Sequence, residues 1–224
     1  MWTTDILPYI DKLGLVTLND KAEDGPGAGN LLMHTGLYYL ALSQLPNVNR
    51  TALIQPLTQA ITQCYVANHP GLLWRSPYKI GDAEQHDDYI LVCAASYFLD
   101  RSIAKDVYAY GQANNWIYDS KNPGSNNLTL SHDRFIGQVA FYRMCIGERT
   151  TIWESLAIGL RALSLSFSKQ GDSNIHAYGF FKVGLDASPL VFNILWLISP
   201  LRKKMGRAFA PYLGENHPLT QIDR

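Results

Sequence analysis

The chain has 224 residues, of which 47% are hydrophobic and 17% are charged. This composition supplies enough apolar side chains for a core and excludes a disordered chain, while the absence of sustained heptads excludes a coiled coil. Nineteen basic residues balance nineteen acidic ones. A net charge of zero gives no general attraction to polyanions, so we expect no nucleic-acid binding. The length predicts one domain over residues 1–224.

The N-terminus and the cysteines predict the compartment. The first residues carry Asp5 and lack a basic region followed by a long apolar run, so we expect no secretory signal peptide. The three cysteines, Cys64, Cys93 and Cys145, form no CxxC pair and predict reduced, buried thiols. We therefore expect a cytoplasmic protein.

Helical signals dominate the chain, and the predicted fold class is all-α. The patterns predict helices near 3–12, 29–44, 50–65, 87–99, 101–114, 132–146, 174–186, 190–198 and 201–213.

A further helix opens at Thr151-Ile-Trp-Glu154, which has the form of a capping box. Large apolar residues then recur at helical spacing, and this spacing predicts that they form the buried face of the helix. The predicted buried face consists of Ile152, Trp153, Leu156, Leu160, Leu163 and Phe167.

Three of the predicted helices share a pattern. Each begins with Asn or Asp and has a tyrosine nine residues later, and small residues such as Gly36 lie between them and allow close helix contact. The tyrosines are Tyr39, Tyr97 and Tyr142. A short turn and a second helix follow each time, so we expect the first helix of each pair to be the inner, more buried one. The predicted hairpins cover about 29–65, 87–114, 132–168 and, as a fourth, 174–213.

The connectors between hairpins are long and carry residues that can do chemistry. They gather at the end where the repeated helices begin, and such loops on a rigid frame commonly hold functional sites. Asp88 and Asp133 occupy the same repeat position there. We predict them as paired catalytic carboxylates, one protonating a leaving oxygen while the other activates water or attacks. The predicted substrate-binding residues are Trp74, Arg75, His86, Trp116, Tyr118, His132 and Arg134.

The same acids also fit a structural role. Asp87 and Ser131 are good N-caps, and an acid in the first turn favours the helix dipole, so Asp88 and Asp133 are equally explained by helix stability. A metal site built from these acids and the neighbouring histidines is a weaker alternative, because their spacing matches no recognised ligand motif. We therefore predict no metal and no cofactor.

Repeated helix hairpins with acidic, aromatic-rich loops at one end resemble the (α/α) toroid proteins, in particular the six-hairpin glycosidases. In that family, catalytic carboxylates come from loops and inner-helix starts around the open end of the barrel, and His86, Asp88 and Asp133 match such positions. The resemblance covers residues 24–170 and implies a carbohydrate-active enzyme, a glycoside hydrolase or lyase that acts on a polysaccharide or oligosaccharide. A complete six-hairpin ring is longer than this chain, so the implied ring is incomplete.

The apolar segment 190–198 points to an alternative function. Its nine residues are too few to cross a bilayer, which takes about 20, so we predict no membrane insertion. We expect this segment to lie in the core or in a subunit interface. The sequence, including its tail at 214–218, also resembles small uncharacterised proteins of tailed bacteriophages. The alternative is therefore a non-catalytic assembly or interaction protein, such as a virion component, that forms a homo-oligomer or a virion assembly through 190–198.

Overall fold

A computed structural model describes residues 13–16, 31–45, 48–78, 86–124, 136–169 and 171–202. Over these residues the fold is mainly α-helical, as predicted, with eight helices and one small sheet. The chain divides into two compact units, residues 1–133 and 134–224. The helix predicted near 3–12 and nearly all of the helix predicted near 201–213 lie outside the described residues. That residues 1–224 form a single domain stays a prediction.

The first unit contains two helix hairpins. Helix α1 (Leu31–Ser43) is followed by α2 (Arg50–Thr62), and α3 (His86–Leu99) is followed by α4 (Ser102–Ala113). The most extensive helix contact in this unit is between α1 and α3, the first members of the two pairs.

A β-hairpin connects the two helix pairs. Strands β1 (Tyr65–Val66) and β2 (His69–Leu73) pair antiparallel, and β2 packs on α4. Gly71 has φ +85°, and a Cβ at this position would overlap the backbone of Asp106, so only glycine lets the strand lie this close to the helix. The Tyr65 hydroxyl donates to the Asp106 carboxylate at 2.8 Å. Burial and this carboxylate raise the pKa of Tyr65, so the hydroxyl keeps the proton that it donates.

The second unit contains four helices, α5 (Ile136–Ile146), α6 (Ile152–Ser166), α7 (Gly171–Ala187) and α8 (Pro189–Ile198). Helix α6 packs mainly on α7, and α8 packs on both. Pro189 occupies the first turn of α8, where its missing N–H has no helical partner to lose.

The first helix of each pair is more buried than the second. Every residue of α1 is buried, as are residues 89–97 of α3, most of the described side chains of α5 and residues 174–181 of α7. Each second helix buries only one side. This confirms the predicted difference between inner and outer helices, and Tyr39, Tyr97 and Tyr142 are all buried on inner helices. The closure of the hairpins into a ring stays a prediction.

A small residue allows the close contact between α1 and α3, as the sequence predicts. A Cβ at Gly36 would lie 2.8 Å from the backbone nitrogen of Val92 and 2.9 Å from the carbonyl carbon of Leu91. Both are backbone atoms inside α3, so they cannot rotate away as a flexible side chain can. A larger residue at position 36 therefore has to push the two helices apart.

We expect Gly36→Val to lower the free energy of unfolding by about 3 kcal/mol, because overpacking forces two helix backbones apart. Urea denaturation followed by circular dichroism measures the loss. Ala52→Val, at an exposed position of α2, is the matched control and should cost about 0.7 kcal/mol or less, the effect of helix propensity. Equal losses in the two variants would contradict the packing of α1 on α3 through Gly36.

Candidate functional site

One predicted substrate-binding residue, Tyr118, lies in the core of the first unit. Its side chain is buried, and its ring packs beside Tyr89 and Tyr110, with ring centroids 4.7 Å and 5.7 Å away. Its hydroxyl donates to the carbonyl of Val107 at 2.9 Å. These contacts give Tyr118 a packing role between α3 and α4.

Three other predicted binding residues in this unit are half-buried. The amide of Trp74 donates to the carbonyl of Cys64 at 2.7 Å, and the carbonyl of Arg75 accepts from Leu32 of α1 at 3.0 Å. The backbone that follows β2 is therefore fixed to its neighbours. Trp116 has a left-handed backbone conformation, with φ 63°, and its ring packs edge-on against Tyr108 with centroids 5.3 Å apart.

The predicted catalytic carboxylates are only in part within the described chain. Helix α3 begins at His86, so Asp88 lies in its first turn. His132, Asp133 and Arg134 lie outside the described residues. The pairing of the two carboxylates therefore stays a prediction. Within the described ranges, no group of three or more His, Cys, Asp or Glu side chains is placed to hold a metal ion.

The most conspicuous surface of the second unit is on α6, and here the predicted buried face is wrong. Trp153 is 76% exposed, and Ile152, Leu160 and Phe167 are also more than half exposed. The side that is buried carries mostly small residues instead, Ser155, Ile158, Gly159, Ala162 and Ser166.

The physical reason lies in the contact between α6 and α8. A Cβ at Gly159 would overlap the Cδ1 atom of Leu195. The space in front of Gly159 is therefore already filled, and only a small residue fits there. Because the buried side of α6 consists of small residues, the large apolar residues lie on a second side of the helix.

Apolar side chains of α6, together with that of Phe167 directly after it, form one partly exposed stripe. Residues three or four positions apart are neighbours on a helix surface, and the spacing along the stripe alternates between three and four. The stripe consists of Trp153, Leu156, Leu160, Leu163 and Phe167. Leu156 and Leu163 are half-buried and lie three and four residues from Gly159, so the stripe borders the contact with α8.

Helix α8 adds a second exposed apolar surface. Its inner side is core, because Phe192 and Leu195 are buried and the Phe192 ring packs against Gly184 of α7. Its outer side carries large apolar residues that are between 60% and 73% exposed, namely Leu190, Ile194, Leu197 and Ile198. One side of segment 190–198 therefore lies in the core, which was one of the two predicted locations. The other predicted location, a subunit interface, stays a prediction for the outer side.

The stripe on α6 and the outer side of α8 adjoin. Leu195 packs on Gly159 of α6. On the surface of α8, Ile198 is a neighbour of Leu195, three positions before it, and of Ile194, four positions before it. We call the combined surface the α6–α8 face. It consists of Ile152, Trp153, Leu156, Leu160, Leu163, Phe167, Leu190, Ile194, Leu197 and Ile198.

A polar network fixes the start of α6 and with it the position of the stripe. The predicted capping box is present, because the Thr151 hydroxyl accepts from the Glu154 amide at 3.2 Å and the Glu154 carboxylate accepts from the Thr151 amide at 2.7 Å. Arg143 of α5 donates to Glu154 at 2.7 Å and to Glu148 at 3.0 Å. One guanidinium therefore ties α5, the connecting turn and the first turn of α6 together.

Comparison with known proteins adds no relative: no family model, no curated protein and no solved structure matches this chain. Among the helices whose residues are described, none combines the length and apolar content that crossing a bilayer requires. The proposed function therefore rests on the sequence and structure of this chain alone.

The hydrogen bond from the Thr151 amide, supported by the Thr151 hydroxyl and Arg143, holds the pKa of Glu154 below its usual value of 4.5. Because the folded-state pKa is lowered, this carboxylate stabilises the fold above pH 4.5, and the contribution is lost as the pH falls through the lowered pKa. We expect Glu154→Gln to cost about 0.5–1 kcal/mol at pH 7, because Gln can still accept the capping hydrogen bond but lacks the charge that interacts with Arg143 and with the helix dipole.

Urea denaturation of the wild type and of Glu154→Gln at neutral and at acidic pH measures the effect, and the difference between them should shrink in acid. Glu148→Gln is the control: it removes an exposed partner of Arg143, and such pairs contribute about 0–1 kcal/mol. A difference for Glu154→Gln that is the same at both pH values would contradict the stabilising role of the ionised carboxylate.

Proposed function

We propose that this protein is a non-catalytic assembly or interaction protein that binds another polypeptide chain through the α6–α8 face. One observation carries this proposal: within the described residues, every large apolar side chain that is more than half exposed belongs to this face. Each such side chain exposes roughly 100 Å², so eight of them expose about 800 Å². The largest apolar patch of a typical monomer is about 300–600 Å², and larger ones mark interaction sites.

The size of the face is sufficient for a stable complex. Burial of about 800 Å² of apolar surface is worth up to about 20 kcal/mol at about 25 cal/mol per Å². Association costs about 4–15 kcal/mol in lost translational and rotational freedom. The upper bound of the apolar contribution exceeds this rigid-body cost, and ordering of side chains and desolvation of polar groups then reduce the net binding free energy.

The charges within helices α6 and α8 favour a protein partner over a lipid surface, and the exposed basic residues Lys169 and Arg202 lie beyond the ends of these helices. Helices that lie on membranes have polar sides rich in Lys and Arg, which bind anionic lipids. Helix α8 has no basic residue, and Arg161 is the one basic residue of α6. The electrostatic part of membrane binding is therefore missing on the two helices that form the face.

Photo-cross-linking tests this proposal. A photoreactive amino acid replaces Leu197, and the protein is irradiated in its source organism. Leu197 is exposed on α8, so we expect one discrete cross-linked product, whose polypeptide components mass spectrometry identifies. The same amino acid at the exposed position of Lys105, on α4 of the first unit, is the control and should give no such product. Adducts of equal yield at both positions, or none at position 197, would contradict the proposal.

A carbohydrate-active enzyme, a glycoside hydrolase or lyase, is the second candidate. The observation in its favour is that α3, an inner helix, carries Asp88 in its first turn. That is the position to which the resemblance to six-hairpin glycosidases assigns a catalytic carboxylate. In this hypothesis Asp133 is the second carboxylate, Trp74 and Trp116 stack on the sugar rings, and the substrate is a polysaccharide or oligosaccharide.

Asp88→Asn and Asp133→Asn test the enzyme hypothesis. Both changes are nearly isosteric, so each should abolish release of reducing ends or unsaturated products from bacterial polysaccharides while costing about 1 kcal/mol of stability. Asp186→Asn, at an exposed position of α7, is the control and should keep full activity. If the wild type acts on none of the polysaccharides, the enzyme hypothesis fails.

A further inference from the structure

We infer that the α6–α8 face binds a second copy of this chain, in a symmetric dimer in which the α6 stripes of the two copies pack against each other. This inference rests on the proposed function and names the partner. A twofold interface uses the same surface on both subunits, so one apolar face supplies both halves of the contact. Burial of the whole α6–α8 face in both copies, with the outer side of α8 beside the packed stripes, gives about 1,600 Å² in total, the size of a standard stable interface.

The charge distribution suits an identical partner. All ten residues of the face are uncharged, so two copies bring no like charges together at its centre. Arg161 follows Leu160 directly in the chain, but no stripe residue lies three or four positions away from it. Arg161 therefore lies on another side of α6. The net charge of the chain is zero, so identical copies do not repel each other at long range.

The spacing within the stripe suits helix-to-helix packing. From Trp153 to Phe167 the apolar positions alternate by three and four residues, which is the pattern of a seam between two packed helices. The stripe covers two such repeats, with Leu160 at its centre. A partner helix with the same spacing, such as α6 of a second copy, matches it along the whole length.

The helix dipoles favour an antiparallel alignment of the two α6 helices. The positive N-terminal end of each helix then lies beside the negative C-terminal end of the other. With Leu160 on the twofold axis, Trp153 of one copy meets Phe167 of the second copy, because each lies seven residues from Leu160. The two Trp153 side chains are then separated by fourteen residues of helix, about 21 Å at 1.5 Å per residue.

Analytical ultracentrifugation tests the dimer. The wild type should sediment with twice the 25.1 kDa mass of one chain. Leu160→Glu should be a monomer with an unchanged circular dichroism spectrum, because this side chain is half exposed in the single chain. Arg161→Glu, which also adds negative charge to α6, is the matched control and should remain a dimer. A wild type that stays monomeric over a concentration series overturns the inference.

Cysteine cross-linking tests the arrangement and does not depend on the folding of the Glu variant. All three native cysteines are buried, so an engineered surface cysteine is the accessible thiol. Leu160→Cys should form a disulfide-linked dimer on mild oxidation. Trp153→Cys should not link to itself but should link to Phe167→Cys when the two variants are mixed. Self-linkage of Trp153→Cys, with or without linkage of Leu160→Cys, overturns the antiparallel arrangement.

The two proposals fail in distinguishable ways. If the wild type is a monomer and the photoreactive residue at position 197 captures one different polypeptide, the interaction function stands and the second copy is overturned. If the monomer instead floats with vesicles of anionic phospholipid and forms no polypeptide adduct, both proposals are overturned in favour of a lipid surface.

Discussion

The second unit depends on the packing of α8 across glycines. Leu195 fits against Gly159 of α6, and Phe192 fits against Gly184 of α7. These contacts have no space for a Cβ, so the three helices approach closely, and Phe192 and Leu195 of α8 fill the space beside the small residues of α6 and α7. Once that space is full, the remaining large apolar residues of α6 and α8 lie outside it. The exposed face is therefore a consequence of the close packing inside.

In the first unit glycines also allow close packing, but the outer helices have a different surface. Gly36 and Gly71 also allow backbones to approach within the reach of a Cβ. There, however, the outer helices turn polar residues to solvent, such as Gln55 and Gln59 on α2 and Lys105 on α4. Within the described residues, the outer helices of the first unit are amphipathic, and the large exposed apolar side chains lie on α6, on α8 and at Phe167.

Most of the helices could be predicted from the sequence, because their signals are local. The capping box at Thr151 and the proline at position 189 mark helix starts directly. The buried side of α6 could not be predicted, because its large residues and its small residues both recur at helical spacing. Hydrophobicity alone predicts that the side with the large residues is buried. The close approach of α8 makes the side with the small residues the buried one. The role of Tyr118 depends likewise on the left-handed backbone at Asn115 and Trp116, which places it in the core.

The network around Arg143 has a consequence for the speed of recognition. It holds the first turn of α6 in place, so Trp153 is presented by a helix that is already formed before any partner arrives. A pre-organised surface loses little backbone entropy when it is covered. For the proposed partner, binding to this surface would be the docking of rigid bodies, limited by orientation during diffusional encounter and not by a folding step.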